Sequence, residues 1–376
     1  MARAVVWIGV HDLSLTGVPV MLERLLAASA PDDRARVHVV ALQDGPMHER
    51  IAAVAASMTV LAPAVGRSGS GSLVAAARSV GLDAAAGGAE RALRRRALRS
   101  LPSPDVVVAH GAGAWAVVGL APGDPAAVLH LHELDTALKR SIPARELPGV
   151  LARVGTVMVV SRPVGELARR TGVTSERIVE VPGVYDVAAP HDHDTALAAL
   201  GGGHEWVLGA GSPVWRKGAD RMAAIAFDLA RSGSEARVGW VGGAPDGVDA
   251  CWVEAEDPVE WFPARPDPWS LLAGASVFLV PSREDPLPLV ALEAGRHRRP
   301  VVATPSGGLV DLLAGGRGLV SEGHDLGDLV TLTRRVLDDP PLARDLGDAL
   351  GEHVERHHSP ELVARTWWSV LDGAVR

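Results

Sequence analysis

Short runs of apolar, mostly β-branched residues recur along this chain, each followed by a small or polar loop and then by a stretch with helical spacing. Ala4–Val10, Val37–Leu42, Met58–Leu61, Asp105–Ala109, Ala127–Leu131, Val157–Val160 and Ile178–Val181 read as strands. Runs this uniformly apolar belong to strands covered on both faces, as in parallel sheets. Helical spacing over about Val20–Ser29, Ser79–Ser100 and Ser161–Thr171 supplies the intervening helices, so the first half predicts a doubly wound α/β domain. Pro190–Gly203, polar and rich in Gly, His and Asp, reads as a hinge. A second alternating series follows. Its strands are Trp206–Gly209, Arg237–Val241, Cys251–Ala255, Val259–Phe262, Val277–Val280 and one opening at Val301–Ala303. Its helices are Ala219–Ser232, Pro268–Ala273, a segment through Leu313, and Leu326–Leu337. The tail Pro360–Leu371, with Trp367 and Trp368, is an apolar helix. No internal repeat with a period of about 20–50 residues is present.

Composition narrows the function classes. A chain of 376 residues exceeds one ordinary core, which favours two domains. With 47% hydrophobic and 22% charged residues the balance is globular, and abundant Ala, Val, Gly, Pro and Arg mark a high-GC genome. A formal net charge of −8 and an aromatic content of 4% argue against nucleic-acid binding, which needs basic surfaces and stacking platforms. Cys251 is the sole cysteine, so no internal disulfide or thiolate metal cluster forms, consistent with a reducing cytoplasm. Met1–Val10 reads as a first strand and not as a signal peptide, and no uncharged apolar run approaches the ~20 residues of a membrane span. A cytoplasmic location follows, or a peripheral one at the inner face of the membrane. Arg91, Arg94, Arg95, Arg96 and Arg99 crowd one helix end, which is either solvated or able to meet anionic lipid.

Two stretches carry the candidate chemistry. In Val277–Pro305 an apolar strand runs into Pro281-Ser282-Arg283-Glu284-Asp285, then Pro286-Leu287-Pro288-Leu289, then a helix holding Glu293. Proline at a helix entrance forfeits little, because the first N–H groups lack intrahelical partners anyway. Asp285 at the turn and Glu293 in the helix should both face the crevice beyond the carboxyl ends of the strands, where open parallel sheets bind ligands. Asp285 also suits a helix N-cap. The second stretch, Gly209-Ala210-Gly211-Ser212-Pro213-Val214-Trp215-Arg216-Lys217-Gly218, offers close backbone and two cations just before a helix. That combination suits a diphosphate, whose negative charges take cations and free amides. It is neither G-x-G-x-x-G nor a Walker loop, and every strand–helix turn lacks the dinucleotide fingerprint, which argues against a nicotinamide-dependent oxidoreductase. Gly17, in Asp12-Leu13-Ser14-Leu15-Thr16-Gly17, lets backbone approach a phosphate. In Leu129-His130-Leu131-His132-Glu133, strand alternation puts His130 and His132 on one face, and His110 ends the preceding strand similarly. No cluster has metal-ligand spacing. His191-Asp192-His193-Asp194 falls in the hinge and reads as solvated.

These stretches resemble the retaining glycosyltransferases of family four. The family's donor-sugar motif is an acidic residue, seven residues, then Glu. Here Asp285 and Glu293 take those places, with Asp for Glu at the first and Pro286-Leu287-Pro288-Leu289 for the usual Gly-Phe-Gly-Leu. The exchange leaves either Asp285 or Glu284 to approach the sugar. The run ending in Arg216-Lys217-Gly218-Ala219-Asp220 resembles the family segment whose Arg and Lys hold the diphosphate and stabilise the leaving group. The resemblance implies a GT-B fold: two Rossmann-like domains with a cleft between them and a C-terminal helix crossing back to the first domain. The corresponding divisions are 1–188 on the acceptor side, 189–357 for the donor, and 358–376 for the crossing helix. It further implies transfer of a sugar, with retention, from a UDP- or GDP-linked donor to a small-molecule, glycan or lipid-linked hydroxyl. No cofactor or metal is needed, since Arg216 and Lys217 neutralise the diphosphate. His132 would stand near the sugar, Gly17 and Gly211 near the donor, Trp261 near the nucleobase, and Pro286, Leu287 and Leu289 along the donor loop. Glu293 would accept hydrogen bonds from the ribose hydroxyls. The Thr304–Asp311 turn matches the family's Gly-Gly-x-x-Glu with Asp for Glu. Acceptor contacts would come from loops such as Gly66–Ser72 and Gly111–Trp115. The alternatives are a GT-B nucleotide-sugar epimerase or hydrolase, and a noncatalytic sugar-nucleotide-binding partner of another transferase.

Overall fold

The structure, a computed structural model, describes residues 3–61, 83–186, 188, 191–246, 258–265 and 267–375. The loop Gly66–Ser72, the helix start at Ser79, Pro190, Cys251 and the strand Cys251–Ala255 fall outside these residues.

Two all-parallel sheets organise the described chain. The first holds β1 (Val6–Val10), β2 (Val37–Ala41), β3 (Ser57–Val60), β4 (Val106–His110), β5 (Ala126–Leu131), β6 (Thr156–Val159) and β7 (Ile178–Glu180), in the order β3-β2-β1-β4-β5-β6-β7. The second holds β8 (Trp206–Ala210), β9 (Arg237–Val241), β10 (Val259–Phe262), β11 (Val277–Val280), β12 (Val301–Ala303) and β13 (Leu319–Val320), in the order β10-β9-β8-β11-β12-β13. Each sheet grows outward from its first strand and then reverses, between β1 and β4 in one and between β8 and β11 in the other. A reversal point opens a crevice beyond the carboxyl ends of the two central strands. The central strands are buried along their whole length (β1, β4, β8 and β11), which is why their sequences are apolar without alternation. Helices cover both faces of the second sheet. One apolar layer joins Trp206, Leu208, Phe278 and Val280 to Leu292, Leu350 and Val354, and the other joins Val207, Trp240, Val277 and Leu279 to Met222, Ile225, Leu329 and Val336.

Contacts divide the chain into two compact units, Pro182–Val363 and Met1–Val181 together with Ala364–Arg376. The division falls seven residues before the 188/189 boundary read from the sequence, and the tail joins the first unit from Ala364. In the helix Pro360–Ala374, Trp367 is fully buried, Trp368 donates through Nε1 to Ser29 Oγ at 2.8 Å, and Asp372 pairs with Arg36 at 2.8 Å.

Several local expectations change. The segment read as a hinge, Pro190–Gly203, holds a helix among its described residues, His193–Ala199, capped by Asp192, whose side chain accepts from Thr195 N, and anchored by Ala196 and Leu200 in the core of the second unit. Gly/His/Asp composition mimicked a linker, whereas an N-cap and two buried side chains make a helix. The first helix is Gly17–Ala27, three residues earlier than the expected start, because Pro19 fits within a first turn that needs no N–H there. An 18-residue helix, Pro340–His357, and shorter ones at Asp135–Ser141 and Leu147–Arg153 were not anticipated.

Candidate active site

The two signature loops of the second unit lie at its reversal point and are bonded to each other. Gly211–Gly218 follows β8, and Pro281–Pro288 follows β11, its hydrogen-bonded neighbour. Arg283 N donates to Arg216 O at 2.8 Å, Arg216 Nη1 donates to Glu284 O at 2.6 Å, and Arg221 Nη1 donates to Pro281 O at 3.1 Å. Gly218 is required at the crossing: its φ is +76°, and a Cβ there would stand 2.2 Å from Pro281 O. A third loop joins them, with Gly308 N donating to Pro286 O at 2.9 Å. Gly307 belongs to the same contact, since a Cβ on it would overlap Asp285 O.

Charge follows this framework. Asp285 is 2% exposed and ion-paired with Lys217 Nζ, while Arg216 Nη1 stands 3.9 Å from the same carboxylate oxygen. A buried carboxylate persists only when such partners offset the loss of hydration. Asp285 is therefore not the helix N-cap that the sequence also allowed. Pro288 occupies that position, and Leu289–Arg296 is the helix. Arg283 forks onto Asp220 at 2.7 and 2.6 Å, donates to Trp215 O at 2.6 Å, and lies over the half-exposed Trp215 ring at 4.4 Å. The sequence motifs contain both Arg283 and Asp220 but give neither a role.

Glu293 is 4% exposed on its helix, and Trp269 Nε1 donates to its Oε2. Leu287 and Leu289 pack half-buried on the core, touching the space beside Gly183. Trp261 lies on β10, half-buried against the layer that covers the other sheet face. The structure thus brings Gly211, Arg216, Lys217, Glu284, Asp285, Pro286, Leu287 and Leu289 into one bonded set of loops. Glu293 follows about one helical turn after Leu289, and Trp261 is joined to the core.

In the first unit, Gly17 opens the helix after β1 and is exposed. His132 lies just beyond β5, buried at 9% exposure. The register sets His110 directly beside His130, and His132 returns to the same face two residues later. The three rings pack at centroid distances of 4.8, 4.4 and 4.2 Å. No linear spacing announces this group, because two strands contribute to it. Among the described residues it is the group whose nitrogens could converge on a metal, lying within 4.8 Å of one another. The rings are nevertheless packed on each other more closely than rings radiating from one ion, whose nitrogens each stand ~2.1 Å from it. Burial holds all three imidazoles neutral, His110 at a pKa of about 4 and His130 and His132 well below the usual value. His110 Nε2 donates to Val18 O at 3.1 Å. Glu133, half-buried beside them, accepts from Ala112 N and His132 N at 2.9 Å each. Burial raises its pKa to about 7, where it can hold or release a proton near neutrality. His191–Asp194 is tied up locally: His191 faces Asp267 at 3.0 Å and His193 donates to Ala273 O at 2.9 Å.

Two parallel sheets, each with its crevice at the reversal point, define a two-domain α/β class, and comparison with known proteins specifies it. Residues 17–189 match the model described as Glycosyltransferase Family 4, and residues 205–339 match Glycosyl transferases group 1. A D-inositol 3-phosphate glycosyltransferase of Kribbella flavida is 30% identical over 306 residues, 71% of this chain and 71% of the relative. D-inositol 3-phosphate glycosyltransferase 2 of Catenulispora acidiphila is 41% identical over 83 residues, 22% of this chain and 19% of the relative. The matched stretches of the three leading curated relatives span only 19%, 20% and 29% of those proteins' length. The crystal structure of Anabaena HepE in complex with UDP and glucose superposes with a TM-score of 0.79 at 16% identity, covering 98% of this chain and 99% of HepE, and shows the GT-B fold. The chain belongs to glycosyltransferase family 4.

Proposed function

We propose that this protein transfers a sugar from a nucleoside-diphosphate sugar to an acceptor hydroxyl, with retention of the anomeric configuration. The observation that carries the reading is the Arg216–Lys217–Asp285 knot at the β8/β11 reversal point, followed by the buried Glu293. Arg216 and Lys217 neutralise the diphosphate as it leaves, the charge that otherwise falls to a metal ion. Lys217 then exchanges part of its pairing with Asp285 for phosphate oxygens. Asp285 is thereby available to sugar hydroxyls, a role that the more exposed Glu284 fills less well. Glu293 reads the ribose. Roles for Gly17 and His132 rest on the family resemblance and are tested by their own variants. The relatives order the assays: UDP-glucose, bound by HepE, is the first donor to test and GDP-linked sugars the second, with inositol phosphate as the first acceptor.

The test is a thermal-shift screen over nucleoside diphosphates and their sugars, followed by product analysis with an acceptor panel. The expected result is stabilisation by one nucleoside diphosphate, lost in Lys217→Ala, and an acceptor-dependent product whose anomeric coupling matches that of the donor. Stabilisation equal in Lys217→Ala and wild type would overturn the assignment. Turnover without acceptor would instead establish a hydrolase or epimerase.

A further inference from the structure

The chain leaves β4 through Gly111, Ala112, Gly113 and Ala114, four residues with almost no side chain. A Cβ on Gly111 would stand 3.2 Å from Glu133 Oε1, and one on Gly113 would stand 3.2 Å from His11 Cβ. Such a segment has few atoms of its own with which to fix its course. Glu133, the second residue past β5, fixes it from outside. Its Oε1 accepts from Ala112 N and its Oε2 from His132 N, both at 2.9 Å, so one carboxylate joins the loop after β4 to the loop after β5. The first helix meets the same corner. His110 Nε2 donates to Val18 O at 3.1 Å, and the Val18 side chain lies 3.4 Å from where a Cβ of Gly111 would be.

A carboxylate is not the group that stability alone would place there. Burial raises the Glu133 pKa to about 7, above the ordinary 4.5, so its ionisation at and above neutrality costs the folded chain stability. What the ionised group offers is an acceptor at each oxygen. Glutamine has the same shape but one acceptor, because its amide nitrogen only donates. Two backbone N–H groups on two different loops are thus held by the one side chain of this shape that can take both. A group kept at a cost in stability is the mark of a site that needs its geometry.

We propose that Glu133 is a positioning residue for the acceptor: it holds the Gly111–Ala114 segment in register with His132, and that segment forms a wall of the acceptor's binding place. This role rests on the transferase reading. Arg216 and Lys217 commit the crevice of the second unit to the diphosphate. The first unit has a reversal point of its own, between β1 and β4, and ligands of open parallel sheets bind beyond the carboxyl ends of such strands. Gly111–Ala114 leaves β4 at that place. The Glu133 carboxylate is bonded to backbone, so it acts on the substrate through the loops it joins and not as a catalytic group.

The experiment compares wild type, Glu133→Gln and Ala112→Pro in transfer from UDP-glucose to inositol phosphate, and in amide hydrogen exchange followed by mass spectrometry without ligand. Glu133→Gln keeps the shape and gives up one acceptor. Ala112→Pro removes the N–H from the other side of the same bond, at the first position of a helical stretch, where proline is tolerated. It therefore carries the test even if Glu133→Gln folds poorly. Exchange in the segment that follows Gly111 should quicken by ~10-fold or more in Glu133→Gln, as expected when a local tie is cut. In both variants KM for inositol phosphate should rise by ~10-fold, while kcat and KM for UDP-glucose stay within about 2-fold of wild type, the pattern of lost uniform binding of one substrate. Unchanged exchange in Glu133→Gln, an unchanged acceptor KM in both variants, or equal rises in both KM values would overturn the role of Glu133 and leave the transferase reading intact. Absence of an acceptor-dependent product from wild type would overturn that reading and this role together.

Discussion

The rims of the two sheets share an architecture and differ in electrostatics. At the carboxyl ends of β4 and β5 stand three neutral, mutually packed imidazoles and a carboxyl whose pKa burial raises to about 7. Beyond β8 and β11 stand two cations, a buried carboxylate between them and a guanidinium fork behind. One rim is built from groups that avoid charge, the other from groups that are stable only when charged and paired. Desolvation explains both: a burial that silences imidazole is tolerated by an aspartate that has a lysine against it. The same topology can therefore carry a rim that exchanges protons and one that grips a fixed anion.

The largest effect should come from breaking the pair. Lys217→Ala leaves Asp285 buried without its close partner, and loss of one member of such a pair costs about 3–5 kcal/mol. Chemical denaturation should show that loss, and turnover should fall by ~100-fold or more. Lys217→Ala combined with Asp285→Asn should regain most of the stability and none of the turnover. A single variant as stable as wild type would remove the contrast between the rims.

pH should act mainly through the histidines. His110, His297 and His358 have folded pKa values of about 4, below the unfolded value of 6.5. Between these limits the unfolded chain binds protons that the folded one does not, so stability falls as pH drops from 6.5 towards 4. Glu133 opposes this. Its folded pKa of about 7 exceeds the unfolded 4.5, so its contribution is full below 4.5 and is lost as pH rises through 7. The histidines outnumber it, so the net stability should fall from pH 7 to pH 5. Glu133→Gln should steepen the loss, by up to about 1.4 kcal/mol per pH unit. A flat melting profile across this range would show that these histidines take up protons while folded.

A pair of glycine substitutions sharpens the comparison. Gly218→Ala drives a Cβ to 2.2 Å from the backbone oxygen of Pro281, while Gly111→Ala meets side chains alone, Glu133 at 3.2 Å and Val18 at 3.4 Å. Both have positive φ and both should destabilise, by about 1 kcal/mol from conformation alone. Gly218→Ala should lose at least about 1 kcal/mol more, since backbone cannot step aside as a side chain can. Equal midpoints in urea would mean that the second rim is as pliable as the first. The smallest effect concerns the surface of the first unit. Arg91, Arg95, Arg96 and Arg99 are exposed, and Arg95 reaches Gly119 O at 3.0 Å. Replacing all four by Gln should weaken binding to anionic vesicles, by at most about 1 kcal/mol per Arg, and unchanged sedimentation would exclude a lipid role for this helix. No helix among the described residues is long and apolar enough to cross a membrane.

Much of this was legible in the chain. Central strands are uniformly apolar, and the residues of each rim loop adjoin in sequence, so Arg216-Lys217 and Asp285 through Glu293 could be picked out by spacing. What stayed hidden depends on register or on distance along the chain. The histidine group needs β4 paired with β5, and Trp269 meets Glu293 across 24 residues. Pro340–His357 begins with two prolines and carries many charges, so its apolar stripe of Leu346, Leu350 and Val354 is sparse. His193–Ala199 was hidden by linker-like composition, and its N-cap Asp192 was the missed signal.

The docking of Trp367 and Trp368 has an implication for biosynthesis. Residues 364–376 complete a core begun by residues 1–181, and all of 182–363 must be translated between them. While the ribosome works through that interval, the nascent amino-terminal body lacks the indoles that seal Ser29 and Arg36. Its completion therefore waits on synthesis of the domain encoded after it.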